Sequence, residues 1–148
     1  MEDTQMTNPN DNMEDLQVTY PGAGTFKLAD TKGRVEHLNR LVAAKQKTAT
    51  CLPWSEFEND QEALPQKGRC DIIANWDGTP AMVVRTLTVE KIKFRHVTPQ
   101  LAMAEGEDKD IEAWRKRTAK AFGTKGVLDR DTLLVFETFE LVEDLSVR

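Results

Sequence analysis

The dipeptide Asp77-Gly78 lies between two apolar runs, residues 70–76 and 81–89, and nothing else in the chain constrains its fold as strongly. Asp-Gly accepts the backbone of a tight hairpin turn, so two antiparallel strands are expected here. Residues 91–96 alternate, with Ile92 and Phe94 on one face, and predict another strand. Residues 132–142 form the longest apolar stretch and predict a central strand, and residues 49–52 predict a shorter one. Helices are expected between them. Val35, Leu38, Leu41 and Val42 recur at helical spacing over residues 31–45, with Asp30 or Thr31 as the cap. Thr98-Pro99 opens a short second helix and Gly106 ends it. Residues 110–122 predict a third, with Ile111, Trp114, Ala121 and Phe122 on one stripe and Gly123 as the stop. Strands interrupted by inserted helices predict an α+β fold. The expected form is a small antiparallel or mixed β-barrel of about five strands and about three helices.

A length of 148 residues supports one core rather than two. Residues 1–16 are polar and acidic and are expected to be a disordered tail, leaving residues 17–148 as a single domain. The net charge of −5 is concentrated at the ends. Glu2, Asp3, Asp11, Glu14 and Asp15 open the chain without a cation, and Glu137, Glu140, Glu143 and Asp144 face only Arg148 at the other end. Residues 16–136 hold 19 Lys and Arg against 16 Asp and Glu. Such a mildly basic body suits a small anionic or nucleotide-like ligand better than a long phosphate backbone, where each contact needs its own cation.

No apolar run approaches the roughly 18 residues of a membrane span. The opening Met-Glu-Asp-Thr-Gln is unlike a secretory or mitochondrial leader, so a cytoplasmic location is expected. Cys51 and Cys70 cannot form a disulfide framework, and no ligand spacing suggests a metal. No cofactor or metal is therefore expected. The Tyr20-Pro21-Gly22-Ala23-Gly24-Thr25 segment lacks the lysine and helix of a phosphate-binding loop.

Two segments carry candidate chemistry. Lys47 and Thr50 lie three apart where the first helix gives way to a strand. In a tight turn both would face one pocket, and a neutral Lys47 amine could take the Thr50 proton and make the hydroxyl a nucleophile. The same residues also read as a solvated helix end followed by an edge-strand threonine. Glu105 falls at the end of the short second helix, where the dipole opposes a carboxylate and favours a proton-carrying role if the group is partly buried. Glu107 and Asp108 read as an acidic loop before the next helix. His37 and His96 read as surface residues. Phe26 and Trp54 flank the turn and could stack on a flat ring. Arg85, Lys91, Lys93 and Arg95 form a basic strip, either an RNA-facing surface or the wet face of a sheet.

The segment Leu41-Val42-Ala43-Ala44-Lys45-Gln46-Lys47-Thr48-Ala49-Thr50-Cys51 resembles the signature of the ASCH domain family, a helix ending in Gly-x-Lys-x-x-Thr. The likeness extends through Phe26-Lys27-Leu28-Ala29-Asp30, Leu64-Pro65-Gln66-Lys67-Gly68 and Ala102-Met103-Ala104-Glu105-Gly106-Glu107, and covers residues 18–143. The resemblance implies a PUA-like β-barrel. It also implies an amidohydrolase that deacylates N4-acylcytidine, such as N4-acetylcytidine, with Lys47, Thr50 and Glu105 as catalytic residues. In that reading Lys47 accepts the Thr50 proton, and Glu105 protonates the departing amine or orients Lys47. Phe26, Cys51, Trp54 and Arg85 are the expected substrate-binding residues. The alternative implied by the family is an RNA-binding module or ribonuclease using the same pocket. Partners are expected to be a nucleoside, with RNA as a further candidate and no membrane, and the chain is expected to be a monomer. Where the family signature has glycine two positions before the lysine, this chain has Lys45, which predicts a turn of different shape and charge. Leu52 and Thr118 stand where a basic residue and a histidine are usual.

Overall fold

Two long strands, β4 (Pro80–Lys93) and β5 (Leu133–Asp144), pair antiparallel from Met82↔Asp144 to Lys93↔Leu133 and form the spine of the structure, a computed structural model that describes residues 15–147. Around them lie β1 (Thr25–Phe26), β2 (Ala49–Pro53) and β3 (Cys70–Ala74) in the order β1-β3-β4-β5-β2. Among the described residues, only β1 and β3 pair in parallel. The α+β class is as expected. The β3–β4 hairpin turns at Asp77-Gly78, where the Asp77 carboxylate accepts hydrogen bonds from the Thr79 amide and hydroxyl.

Two sequence expectations are corrected. The strands expected at residues 81–89 and 91–96 are one strand, because Glu90-Lys91 contains no breaker and β5 pairs with the whole length. Phe94–His96 is a 3₁₀ turn that drives Phe94 into the core. The expected barrel is an open sheet, since β1 is two residues long and, among the described residues, no ladder joins it to β2 at the other edge. Register shifts at Val83/Val84 and Thr86/Thr88 are β-bulges, which increase local twist and curl a sheet. As a result the two unpaired edges face each other across one cavity.

The helices pack where their apolar stripes dictate. The first, α1 (Lys32–Ala43), is capped by Thr31 and buries Val35, Leu38 and Val42. The second, α2 (Pro99–Met103), starts from Thr98 with proline in its first turn. The third, α3 (Ile111–Phe122), is capped by Asp110, whose carboxylate accepts from the Ala113 amide at 2.8 Å. Trp114 on α3 is fully buried in a cluster with Ala49, Cys51, Phe94, Val97, Ala102, Leu134 and Phe136, and its ring packs tilted against the Phe94 and Phe136 rings, at 42° and 36°. Gly123 ends α3 where any side chain would collide with the Val127 and Ala119 carbonyls. On the other side of the sheet, Val42 joins Ile73, Met82, Val84 and Phe139.

Residues 1–14 of the expected tail lie outside the described residues. Its last residue, Leu16, sits in a helical turn and is buried with Ala23, Ile72 and Val83. Among the described residues, no helix is long and apolar enough to cross a membrane.

Candidate active site

The turn from α1 into β2 is fixed by its backbone. Lys45 adopts φ +62°, and the Gln46 and Lys47 amides both donate to the Leu41 carbonyl. This is the left-handed position that favours glycine, so Lys45 keeps the shape of a glycine turn, contrary to the expectation of a different one. The Thr48 amide then donates to the Ala104 carbonyl at 2.7 Å, joining the turn to the end of α2. Gly106 (φ +77°) completes the junction, since a Cβ there would overlap the Gln46 carbonyl.

That backbone contact brings Lys47 to Glu105. Lys47 is 2% exposed, and its Nζ donates to the Glu105 carbonyl at 3.3 Å. It also pairs with Glu105 Oε2 at 3.8 Å and Glu107 Oε2 at 3.5 Å. Glu105 Oε1 accepts from Trp114 Nε1 at 2.6 Å and from Arg117 at 3.2 Å. Arg117 also holds Asp108, and Arg34 meets Glu107 at 2.7 Å. Burial opposes ionisation of Glu107, but the Arg34 hydrogen bond and the charges of Lys47 and Arg117 hold its carboxyl below the usual range. Burial also opposes the Arg117 charge, yet its three carboxylate neighbours push its value up. Burial, followed by the Glu105 charge, pushes the Cys51 thiol up. Glu107 and Asp108 lie in the loop before α3, as expected, but they are half-buried and their carboxylates belong to an ion network with Lys47, Arg34 and Arg117. Nothing in the sequence marks their partners Arg34 and Arg117 except that Arg117 lies three residues after Trp114 on the same helix.

Thr50 belongs to a different neighbourhood. Along β2, Ala49 and Cys51 join the Trp114 core, and the intervening Thr50 lines the cavity between the sheet edges. Among the described residues no hydrogen bond joins Thr50 to Lys47 or Glu105. Cys51 touches both regions, contributing to the cavity wall while its thiol lies 3.8 Å from Glu105 Oε1.

The cavity measures about 360 Å³. Phe26 lines it from β1, Phe57 from the segment after β2, and Arg69, Asp71 and Glu137 from β3 and β5 with their flanks. Arg69 pairs with Asp71 at 3.1 Å, and Asp71 accepts from the Gly24 amide at 2.8 Å. Glu137 is the register partner of Thr50, and its Oε2 accepts from the Thr86 hydroxyl at 2.6 Å. Burial, reinforced by the nearby Asp71 charge, pushes the Glu137 carboxyl above its ordinary value, against the Thr86 hydrogen bond and Arg69. In the sequence Glu137 reads only as one of the acids near the C-terminus. The signal for it was a carboxylate inside the longest apolar strand.

The other expected substrate contacts lie away from the cavity. Trp54 carries Lys91 over its ring at 3.7 Å, and Arg85 pairs with Glu140 at 2.9 Å. Lys93 and Arg95 both meet Asp131. Of the basic strip, three members are therefore paired with acids and the fourth with an aromatic ring. His37 and His96 are exposed.

The ASCH domain model matches residues 25–143. The crystal structure of the ASCH domain from Lactobacillus crispatus JV V101 is similar with a TM-score of 0.70 at 22% identity, covering 87% of this chain and 85% of that one. Protein EF3133 from Enterococcus faecalis V583 is similar with a TM-score of 0.73 at 24% identity, covering 93% of this chain and 94% of that one. No curated protein matches the chain. At these identities the structural likenesses speak to the fold alone, and the family match supplies the assignment. The chain belongs to the ASCH domain family and has its PUA-like fold.

Proposed function

We propose that the chain is a metal-independent amidohydrolase that removes the acyl group from N4-acylated cytosine nucleosides, with Thr50 as the nucleophile. The observation that carries this reading is the placement of Thr50. It stands on a strand in the cavity wall, its side chain makes no hydrogen bond among the described residues, and a carboxyl-bearing residue is its register partner. The cavity volume of about 360 Å³ lies within the usual range for a small-molecule site. Phe26 offers a face for a planar ring, and Arg69 and Asp71 offer a donor and an acceptor for polar edges. Lys47 and Glu105 lie on the Trp114 side of β2 and are assigned a positioning role, holding the turn that delivers Thr50.

The alternative, RNA binding or cleavage along the basic strip, is disfavoured by the local partners of those four cations. Phosphate contacts would have to displace them.

An ultraviolet assay of purified protein with N4-acetylcytidine tests the proposal. Cytidine release is expected with EDTA present, to fall at least about 10²-fold in Thr50→Ala and to persist measurably in Thr50→Ser. An inactive wild type, or an unaffected Thr50→Ala, overturns it. In the second case, binding to single-stranded RNA that weakens steeply with salt would support the alternative.

A further inference from the structure

The geometry points to Glu137 as the acid–base residue that carries the proton between Thr50 and the departing nitrogen. This inference rests on the amidohydrolase reading and assigns a role that the Lys47–Glu105 pair is poorly placed to fill. Lys47 spends its donors on Glu105 and Glu107, and Glu105 is enclosed by Trp114, Arg117 and Cys51. Neither lines the cavity. Glu137 does, and it is the β5 partner of Thr50 in the antiparallel register. Side chains of directly opposed residues project from the same face with Cβ atoms about 4.5–5.5 Å apart, within reach of a hydrogen bond between a hydroxyl and a carboxylate. The Thr86 hydroxyl from β4 anchors Oε2, and Oε1 makes no hydrogen bond among the described residues. The charged groups nearest this carboxyl are Asp71 and Arg69, which pair with each other. Burial that raises the carboxyl's affinity for a proton suits a group that must both accept and release one.

The steps balance. The Glu137 carboxylate takes the Thr50 hydroxyl proton as Oγ bonds to the acyl carbon. The tetrahedral intermediate collapses, the C–N bond breaks, and its electron pair goes to nitrogen. Glu137 returns its proton to that nitrogen, releasing the free amine. A water molecule then gives its proton to Glu137 and attacks the Thr50 ester. Oγ leaves with the proton held by Glu137, and the carboxylic acid departs. One water is consumed per amide.

Glu137→Gln tests this, because the amide retains an acceptor for Thr86 but cannot shuttle a proton. With N4-acetylcytidine, kcat is expected to fall about 10²–10⁴-fold with little change in KM, and the acidic limb of the pH–rate profile to disappear. Calorimetric titration with cytidine is expected to show wild-type affinity in the variant. Added formate is expected to restore part of the activity of Glu137→Ala. Wild-type kcat and pH profile in Glu137→Gln, or loss of cytidine binding together with no rescue by formate, overturns the inference while active wild-type protein leaves the amidohydrolase reading intact. An inactive wild type removes both.

Discussion

Lys47 Nζ lies 3.8 Å from Glu105 Oε2 on the Trp114 side of β2, and Thr50, three residues later, lines the cavity between the sheet edges. A Lys-x-x-Thr spacing therefore does two separate jobs here. The lysine fastens the turn to the end of α2, and the strand beginning at Ala49 presents the threonine. This division gives Lys47 a clear stability signature.

Lys47→Met removes the cation and leaves Glu105 and Glu107 with fewer partners in a buried site. Breaking a buried ion pair from one side costs about 3–5 kcal/mol. Urea unfolding at neutral pH should show a loss of that order. A variant as stable as the wild type would show that Lys47 does not hold the junction.

Lys45 occupies a left-handed conformation at φ +62° while its side chain is exposed. A non-glycine residue there costs about 1–2 kcal/mol. Part of this is offset in Lys45→Gly by the greater freedom of an unfolded glycine. The expected net is a gain of about 0.5–1 kcal/mol, read as a rise in melting temperature of about 1–4 °C. A fall in melting temperature would mean that the turn is held by the lysine side chain.

Glu137 carries a stability cost of its own. Its folded-state carboxyl holds a proton more tightly than in the unfolded chain. Ionising it therefore destabilises the fold. The penalty is absent below the unfolded value, near pH 4, grows as pH rises through the gap, and is complete above the raised folded value. Glu137→Gln should accordingly be more stable than the wild type at pH 7 and indistinguishable from it at low pH. Equal denaturation midpoints at pH 7 would contradict this.

Much of the secondary structure was legible because the signals are local. Thr31, Thr98 and Asp110 cap the helices expected after them, and Asp77-Gly78 turns the hairpin. The merging of residues 80–93 into one strand was not legible, since exposed residues such as Lys91 carry no pattern that distinguishes a long strand from two short ones. The open sheet depends on the length of β1 and on bulges, both of which arise from long-range pairing. At the site, Lys47 and Glu105 were correctly expected to be neighbours. Thr50 was expected to join them because three residues read as one turn, but alternation along β2 carries it away. Glu107 and Glu137 looked like solvated acids because their partners Arg34 and Thr86 are distant in the chain, and Asp108 because its partner Arg117 lies on the next helix.

The measurement that tests the central claim most directly is intact-protein mass spectrometry after brief mixing with N4-acetylcytidine and acid quenching, followed by peptide mapping. The account predicts one acetyl group on Thr50 in the wild type and none in Thr50→Ala, with more trapped ester in any variant that slows the second step. Cytidine release by the wild type with no acylated Thr50 at any mixing time, or with the acetyl group on Lys47 or Cys51, would contradict it.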